Sequence, residues 1–232
     1  MSGASPASGT LPEPQVRAMF DRIARIYDRM NSVMTAGMHH RWRERSADLA
    51  RVERGDRALD VATGTGDLAL ELARRGASVT GLDFSGRMLE VARDKAPEID
   101  WVQGNALELA YEKGEFDAVT VGFGARNFSD LDRGMREMVR VAKPGGRVVI
   151  LEITTPERPP LSWFFRFWFD RAIPALGRMA DSEAYTYLPS SVRRFPRAQE
   201  LGARMAAAGL DNVGWILTAG GIIAIHSGTK RP

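Results

Sequence analysis

The sequence predicts an α/β protein: a doubly wound, mostly parallel sheet closed by a terminal antiparallel hairpin. Three observations lead there. Short apolar runs alternate with amphipathic helical segments between Arg57 and Ile153, the pattern of successive βαβ units. A glycine-bearing turn, Gly64-Thr65-Gly66, follows the first of these runs and opens a helix. At the far end, two strand-like runs flank Ala219-Gly220-Gly221, a connection short enough for a hairpin. The 232 residues, 44% of them hydrophobic, suffice for one such domain with additions, or at most two small ones.

The elements follow in order. Val16, Met19, Phe20, Ile23, Ile26 and Tyr27 recur at helical spacing, so the stretch 13–50 reads as helical. Strands are expected at 57–62, 78–83, 99–103, 116–123 and 146–153, with helices at 67–75, 85–94 and 131–141. A last helix at 197–208 runs into Gly209, a residue type suited to the left-handed position after a helix. The closing strands are 212–218 and 222–227. A disordered tail is expected at 1–14, rich in Ser, Gly, Ala and Pro. The single domain then covers 15–232, with N-terminal helices at 15–50 and an apolar helical insertion at 156–190.

Composition excludes several classes. The net charge is +3 and no dense Lys/Arg run accompanies it, so no nucleic-acid partner is expected. The absence of cysteine removes disulfides, thiolate chemistry and Cys-ligated metal. Of three histidines, His39 and His40 are neighbours and cannot share a helix face, so no metal site is expected. The N-terminal residues lack the apolar core of a secretory signal, and no apolar run reaches the roughly 18 residues that span a bilayer. A cytoplasmic protein is expected, with any membrane contact peripheral.

The residues 58–67, Ala-Leu-Asp-Val-Ala-Thr-Gly-Thr-Gly-Asp, carry the chemistry. Gly64 and Gly66 let the backbone turn tightly and approach a ligand, and helix N-terminal amides then face it. The string Gly64-Thr65-Gly66-Asp67-Leu68-Ala69 fits a dinucleotide as well as S-adenosylmethionine. Asp60 and Asp67 shift the balance, because carboxylates there repel a pyrophosphate and suit a cationic sulfonium and ammonium. Asp83 ends the next strand, where a carboxylate accepts ribose hydroxyls in either reading. Asn105 and Ala106 follow the third strand, placed to hydrogen-bond an adenine edge. A NAD-dependent oxidoreductase is one rival reading; a non-catalytic binding module that retains the fold is another, against which the intact glycines with Asp83, Asn105 and Arg126 argue.

This arrangement resembles the class I S-adenosylmethionine-dependent methyltransferases, with their Rossmann-like fold. Two longer segments sharpen the resemblance. Residues 27–42, beginning Tyr27-Asp28-Arg29-Met30-Asn31, and residues 140–154, with Lys143-Pro144-Gly145-Gly146, are similar to the two signatures of the C-methyltransferases of ubiquinone and menaquinone biosynthesis. Phe123-Gly124-Ala125-Arg126-Asn127, the run Tyr187-Leu188-Pro189-Ser190-Ser191-Val192 and residues 220–226 also match that family. Thr35 and Thr154 stand where the family usually has Ser, Ala142 replaces a larger aliphatic residue, and Gly122 replaces a cofactor-contacting Ser. Only the backbone of Gly122 is available for that contact.

The resemblance implies methyl transfer to a ring carbon beside a phenolic hydroxyl of a polyprenylated quinol. Demethylmenaquinol is the expected acceptor; a polyprenyl-methoxy-benzoquinol, or both, is the alternative. Arg126 is the expected stabiliser of the phenolate, with Asn127 and Tyr27 orienting substrate or water. The competing role for Arg126 is a salt bridge to a carboxylate such as Asp130. Asn31 is expected to help close the cofactor pocket, and His39 and Trp42 to pack the N-terminal helices over it. His226 is a secondary candidate for binding or base work, against a packing role. The aromatic-rich segment 161–179 has three readings: a lid that receives the polyprenyl tail at the bilayer surface, a homodimer interface, or a buried helix.

Overall fold

The computed structural model describes residues 12–156, 159, 162, 163, 171 and 183–232. Seven strands form one sheet in the order β3-β2-β1-β4-β5-β7-β6. Strands β1 (Arg57–Val61), β2 (Ser78–Asp83), β3 (Asp100–Gln103), β4 (Phe116–Gly122) and β5 (Ala142–Ile153) run parallel. Strand β7 (Ile223–Lys230) inserts antiparallel between β5 and β6 (Leu210–Thr218). The expected mixed sheet with a terminal antiparallel pair is therefore present.

The central strands are buried on both faces, which explains their nearly continuous apolar runs. Leu59, Val61, Val119 and Val121 face α5 (Leu131–Val141) and α7 (Ala198–Ala207), meeting Met135, Met138, Leu201 and Met205. Ala58, Ala118, Val149 and Leu151 face the other way. They share a core with Leu68 and Leu72 of α3 (Asp67–Arg74), Leu89 of α4 (Gly86–Lys95) and Trp42 of α2 (Met38–Ala50).

Helix α1 (Glu13–Thr35) belongs to neither layer. Its buried residues Val16 and Met19 meet Phe84, just past β2, and Tyr187 of α6 (Glu183–Arg194). Ile23 and Ala24 meet Met88 of α4. This lays α1 across the ends of the strands, where it roofs the site described below.

Several boundaries differ from expectation for physical reasons. The helical stretch 13–50 breaks at Ala36 and Gly37, whose φ values of 48° and 76° turn the chain between α1 and α2. Apolar periodicity continues through the break, so it hides it. Helix α1 begins at Glu13, inside the stretch assigned to the tail; residues 1–11 lie outside the described residues. Strand β5 begins at Ala142 rather than Gly146: Ala142 pairs with Phe116, and the ladder then shifts to Ala118↔Arg147. Of the aromatic segment 161–179, only Ser162, Trp163 and Arg171 are among the described residues.

One glycine of the turn after β1 has a steric reason to be there. Gly66 sits at φ +86°, and a Cβ on it would stand 2.4 Å from the Trp101 ring. Gly66→Ala is expected to lower the denaturant midpoint by the equivalent of about 1–3 kcal/mol, with an unchanged m-value. An unchanged midpoint would show that the indole can move aside.

Candidate active site

The strand order reverses between β1 and β4, and the crevice beyond their carboxyl ends is where an open α/β sheet binds ligands. A cavity lies there. Its floor is Asp60, Gly64, Thr65, Asp83, Asn105, Ala106 and Gly122, and its roof includes Glu13, Phe20 and Tyr27 of α1. All eight expected cofactor residues but one line it. The exception is Gly66, which packs against Trp101 and shapes the turn from behind.

The carboxylates are in different states. Asp60 accepts hydrogen bonds from Thr63 and Thr120 at 2.6 Å each, yet burial pushes its carboxyl up to about 6. Asp83 accepts from the backbone N–H of Gly64 and of Ser85, both at 2.8 Å, and burial pushes it up to about 6 as well. The two N–H groups reach different oxygens of Asp83, and the Phe84 N–H also favours its charged form. Asp67 departs from expectation. Burial disfavours its charge, but Arg43 and Lys95 outweigh burial and hold it below the usual range. Lys95 bridges Asp67 at 2.8 Å and Asp28 of α1 at 2.6 Å. Asp67 is thus already paired, whereas Asp60 and Asp83 have no ion-pair partner among the described residues.

Asn105 is exposed, and its side chain serves the protein: Nδ2 donates to Glu13 at 3.2 Å and Oδ1 accepts the Leu107 N–H at 2.9 Å. Polar contacts tie α1 down over the cofactor cavity along its length. They run from Asn105–Glu13 through Ser85–Asp21 at 2.5 Å to Thr65–Asp28 at 2.6 Å.

A second, larger cavity of about 380 Å³ adjoins the first. Its walls are mostly apolar: Met19, Ile23, Met30 and Met34 of α1, Met38 and Trp42 of α2, Ile153, Leu188, Ile222 and Ile223. Phe20, Tyr27, Arg43 and Phe123 line both cavities and so form the partition.

Arg126 opens into the second cavity from a short 3₁₀ turn, Ala125–Asn127, just past β4. Its ion-pair partner is Glu152, at 2.7 Å, and not Asp130. Asp130 instead caps α5 by accepting the Arg133 N–H at 2.9 Å. Glu152 also accepts the backbone N–H of Arg126 at 3.2 Å and of Ile153 at 2.8 Å. Arg126 donates again to the Phe123 carbonyl. Its Nε–H is buried and has no acceptor among the described residues. Burial opposes the charge, but the Glu152 carboxylate outweighs it and keeps the guanidinium protonated.

The other expected residues divide between the cavities. Tyr27 stands on the partition. Asn127 faces the cofactor cavity and accepts from the Tyr187 hydroxyl at 3.2 Å. Asn31 and His39 line the second cavity rather than the cofactor pocket. His39 is buried, and Arg43, which can only donate, bonds its Nδ1. Its Nε2–H is left to donate to Ser32 at 3.1 Å. Burial, then Arg43, push its pKa down to about 4, so it is a neutral brace for Arg43. His226 is a packing residue: buried in β7, bonded through Nε2 to the Ala198 carbonyl at 2.8 Å and stacked on Trp215.

Sequence reasoning missed Arg43, Glu152 and Tyr187. Arg43 follows His39 by four residues on one helix face, and Glu152 stands at the carboxyl end of β5, next to the end of β4. Both placements were available signals. No cluster of three metal-ligating side chains occurs among the described residues.

The fold is that of the S-adenosylmethionine-dependent methyltransferases. A solved Thermotoga maritima protein described as a SAM-dependent methyltransferase, possible histamine N-methyltransferase, superposes with a TM-score of 0.68 at 18% identity, covering 92% of this chain and 99% of that one. More specifically, the chain belongs to the ubiE/COQ5 methyltransferase family, whose sequence profile matches residues 9–230. A demethylmenaquinone methyltransferase from Thermus thermophilus is 44% identical over 220 residues, 91% of this chain and all of that protein. A ubiquinone/menaquinone biosynthesis C-methyltransferase from Brucella canis is 42% identical over 228 residues, 93% of this chain and 85% of that protein. The protein is therefore a methyltransferase with S-adenosylmethionine as its cofactor, and the NAD-dependent reading is set aside.

Proposed function

We propose that the protein transfers a methyl group to a ring carbon of demethylmenaquinol, giving menaquinol. The observation that carries this reading is the second cavity: apolar, about 380 Å³, sharing a wall with the cofactor cavity and holding a buried guanidinium with an unused N–H. A polyprenylated quinol is apolar except at its ring hydroxyls, so it suits a greasy chamber with one fixed cation. The names carried by the Thermus and Brucella relatives support the same acceptor class.

When bound, S-adenosylmethionine supplies a methyl group on a sulfonium, open to in-line displacement. The ring hydroxyl beside the accepting carbon has a pKa of about 10 and must lose its proton to make that carbon nucleophilic. Arg126 lowers this barrier by facing the oxyanion with a charge that never titrates away. Tyr27 holds the ring at the partition between donor and acceptor. Asn127, fixed through Tyr187, supports the cofactor side. The hydroxyl proton passes to water; after methylation the ring carbon gives up its own proton, the ring oxygen regains one and aromaticity returns, so one proton is released per methyl transferred.

The test supplies methyl-labelled S-adenosylmethionine with demethylmenaquinol and, separately, with a demethylated polyprenyl-methoxy-benzoquinol. Label in menaquinol is the expected result. Label only in the benzoquinol product would move the enzyme to the ubiquinone branch. No label from either, in protein that binds S-adenosylhomocysteine, would overturn the quinol reading.

A further inference from the structure

The outer stripe of α1 carries exposed apolar residues that no packing within the described residues requires. Val33 is 84% exposed and Ile26 49%. Arg25 and Arg29 stand on the same stripe at helical spacing, both exposed, and no carboxylate pairs with either among the described residues. Apolar tips flanked by unpaired arginines are the composition of a surface helix that lies in an anionic bilayer interface.

The position of the stripe matters as much as its composition. Turning α1 by about a quarter brings up Met30 and Met34, which line the acceptor cavity. Met38, just past the Ala36–Gly37 turn, lines that cavity and is also 46% exposed, so it marks an opening. The exposed stripe therefore lies about a quarter turn from the wall of the acceptor chamber, on the helix that leads into its opening.

We infer that the outer stripe of α1, with Arg25, Ile26, Arg29 and Val33, docks this protein on an anionic lipid surface and sets the mouth at Met38 against the bilayer. The inference rests on the proposed acceptor for its purpose, since a polyprenylated quinol resides in the membrane. A second copy of the chain is the poorer occupant. A two-fold interface on this stripe would set Arg25 and Arg29 of one copy against the same arginines of the other. No helix among the described residues is long and apolar enough to cross a membrane, so the contact is one of surface and not of span.

The full-length protein is tested by co-sedimentation with phosphatidylcholine vesicles, with and without phosphatidylglycerol. Binding only to the anionic vesicles, and release at high salt, is the expected result. Arg25→Gln with Arg29→Gln should weaken vesicle binding about 25-fold, at roughly fivefold for each cation near the surface. Val33→Asp should weaken it further. These exposed substitutions leave the thermal midpoint and turnover of a short-tailed, soluble quinol unchanged, while turnover of a vesicle-embedded quinol falls. Three results overturn the proposal: no binding to anionic vesicles, undiminished binding by the double variant, or a dimer in solution that Val33→Asp splits. The vesicle assay needs no turnover, so its failure is distinct from failure of the quinol reading.

Discussion

Asp83→Ala is expected to raise the dissociation constant for S-adenosylhomocysteine about 100-fold or more, since hydrogen bonds to a charged acceptor contribute about 1.5–3 kcal/mol each. The carboxylate lies at the end of β2, held by the backbone N–H groups of Gly64 and Ser85, and lines the cavity floor. It lines only the cofactor cavity, so the loss belongs to cofactor binding. Asp83→Asn keeps the volume and loses the charge and one acceptor; it should bind more weakly than the wild type and better than the alanine variant. Retention of wild-type affinity by Asp83→Ala would remove Asp83 from the site.

The same carboxylates give a pH signature whose sign is fixed. Burial raises both Asp60 and Asp83 from the ordinary aspartate range to about 6. Without ligand, the folded state then holds protons that the unfolded chain has already released. Stability is fully present below about pH 4 and is lost as pH rises through about 6, by up to about 3 kcal/mol for each carboxyl taken alone. Ligand binding runs the other way, because ribose hydroxyls and the ligand ammonium favour the ionised acceptors. Affinity for S-adenosylhomocysteine should therefore climb from pH 5 to 7, by up to about tenfold per unit for each carboxyl. Calorimetry across that range reads it directly. A flat profile would mean that neither aspartate titrates on binding.

How much of this was legible in the sequence depends on how local each cause is. Asp60, Gly64 and Asp83 were readable because strand ends and the turns after them bring their own residues to the crevice. Gly66 belongs to the same turn, but its neighbour Trp101 comes from another strand, so its steric role was hidden. The partner of Arg126 was hidden for a similar reason. Asp130 is near in sequence and is consumed as a helix cap, whereas Glu152 becomes a neighbour only because β4 and β5 pair in parallel with Gly122 beside Leu151. The lesson of Asp67 is electrostatic: a carboxylate beside the glycines looks available until Arg43 and Lys95, from two other helices, claim its charge. The break at Ala36–Gly37 shows the limit of periodicity, which registers which face is apolar and not whether the backbone continues.

Arg126→Gln is expected to lower kcat about 100- to 1,000-fold, the range seen when a fixed oxyanion donor is removed, with cofactor affinity left within about threefold, a difference of ~0.6 kcal/mol. The reason is placement. Arg126 lines the acceptor cavity and not the cofactor cavity, and its buried Nε–H is aimed at no protein acceptor among the described residues. Glu152 separates an electrostatic role from a merely structural one. It is the buried counterion of Arg126, so Glu152→Gln leaves a charge unpaired and should destabilise the fold by about 3–5 kcal/mol. In the enzyme that remains folded, Arg126 no longer shares its field with a carboxylate. An uncompensated guanidinium stabilises a phenolate more strongly, so the pH at which kcat rises should move down. A structural role alone predicts lower stability with the pH limb unmoved. If Arg126→Gln instead turns over as well as the wild type, or loses cofactor and turnover together, the division between the two cavities fails and the phenolate needs another stabiliser, for which Arg43 on the partition is the next guanidinium in reach.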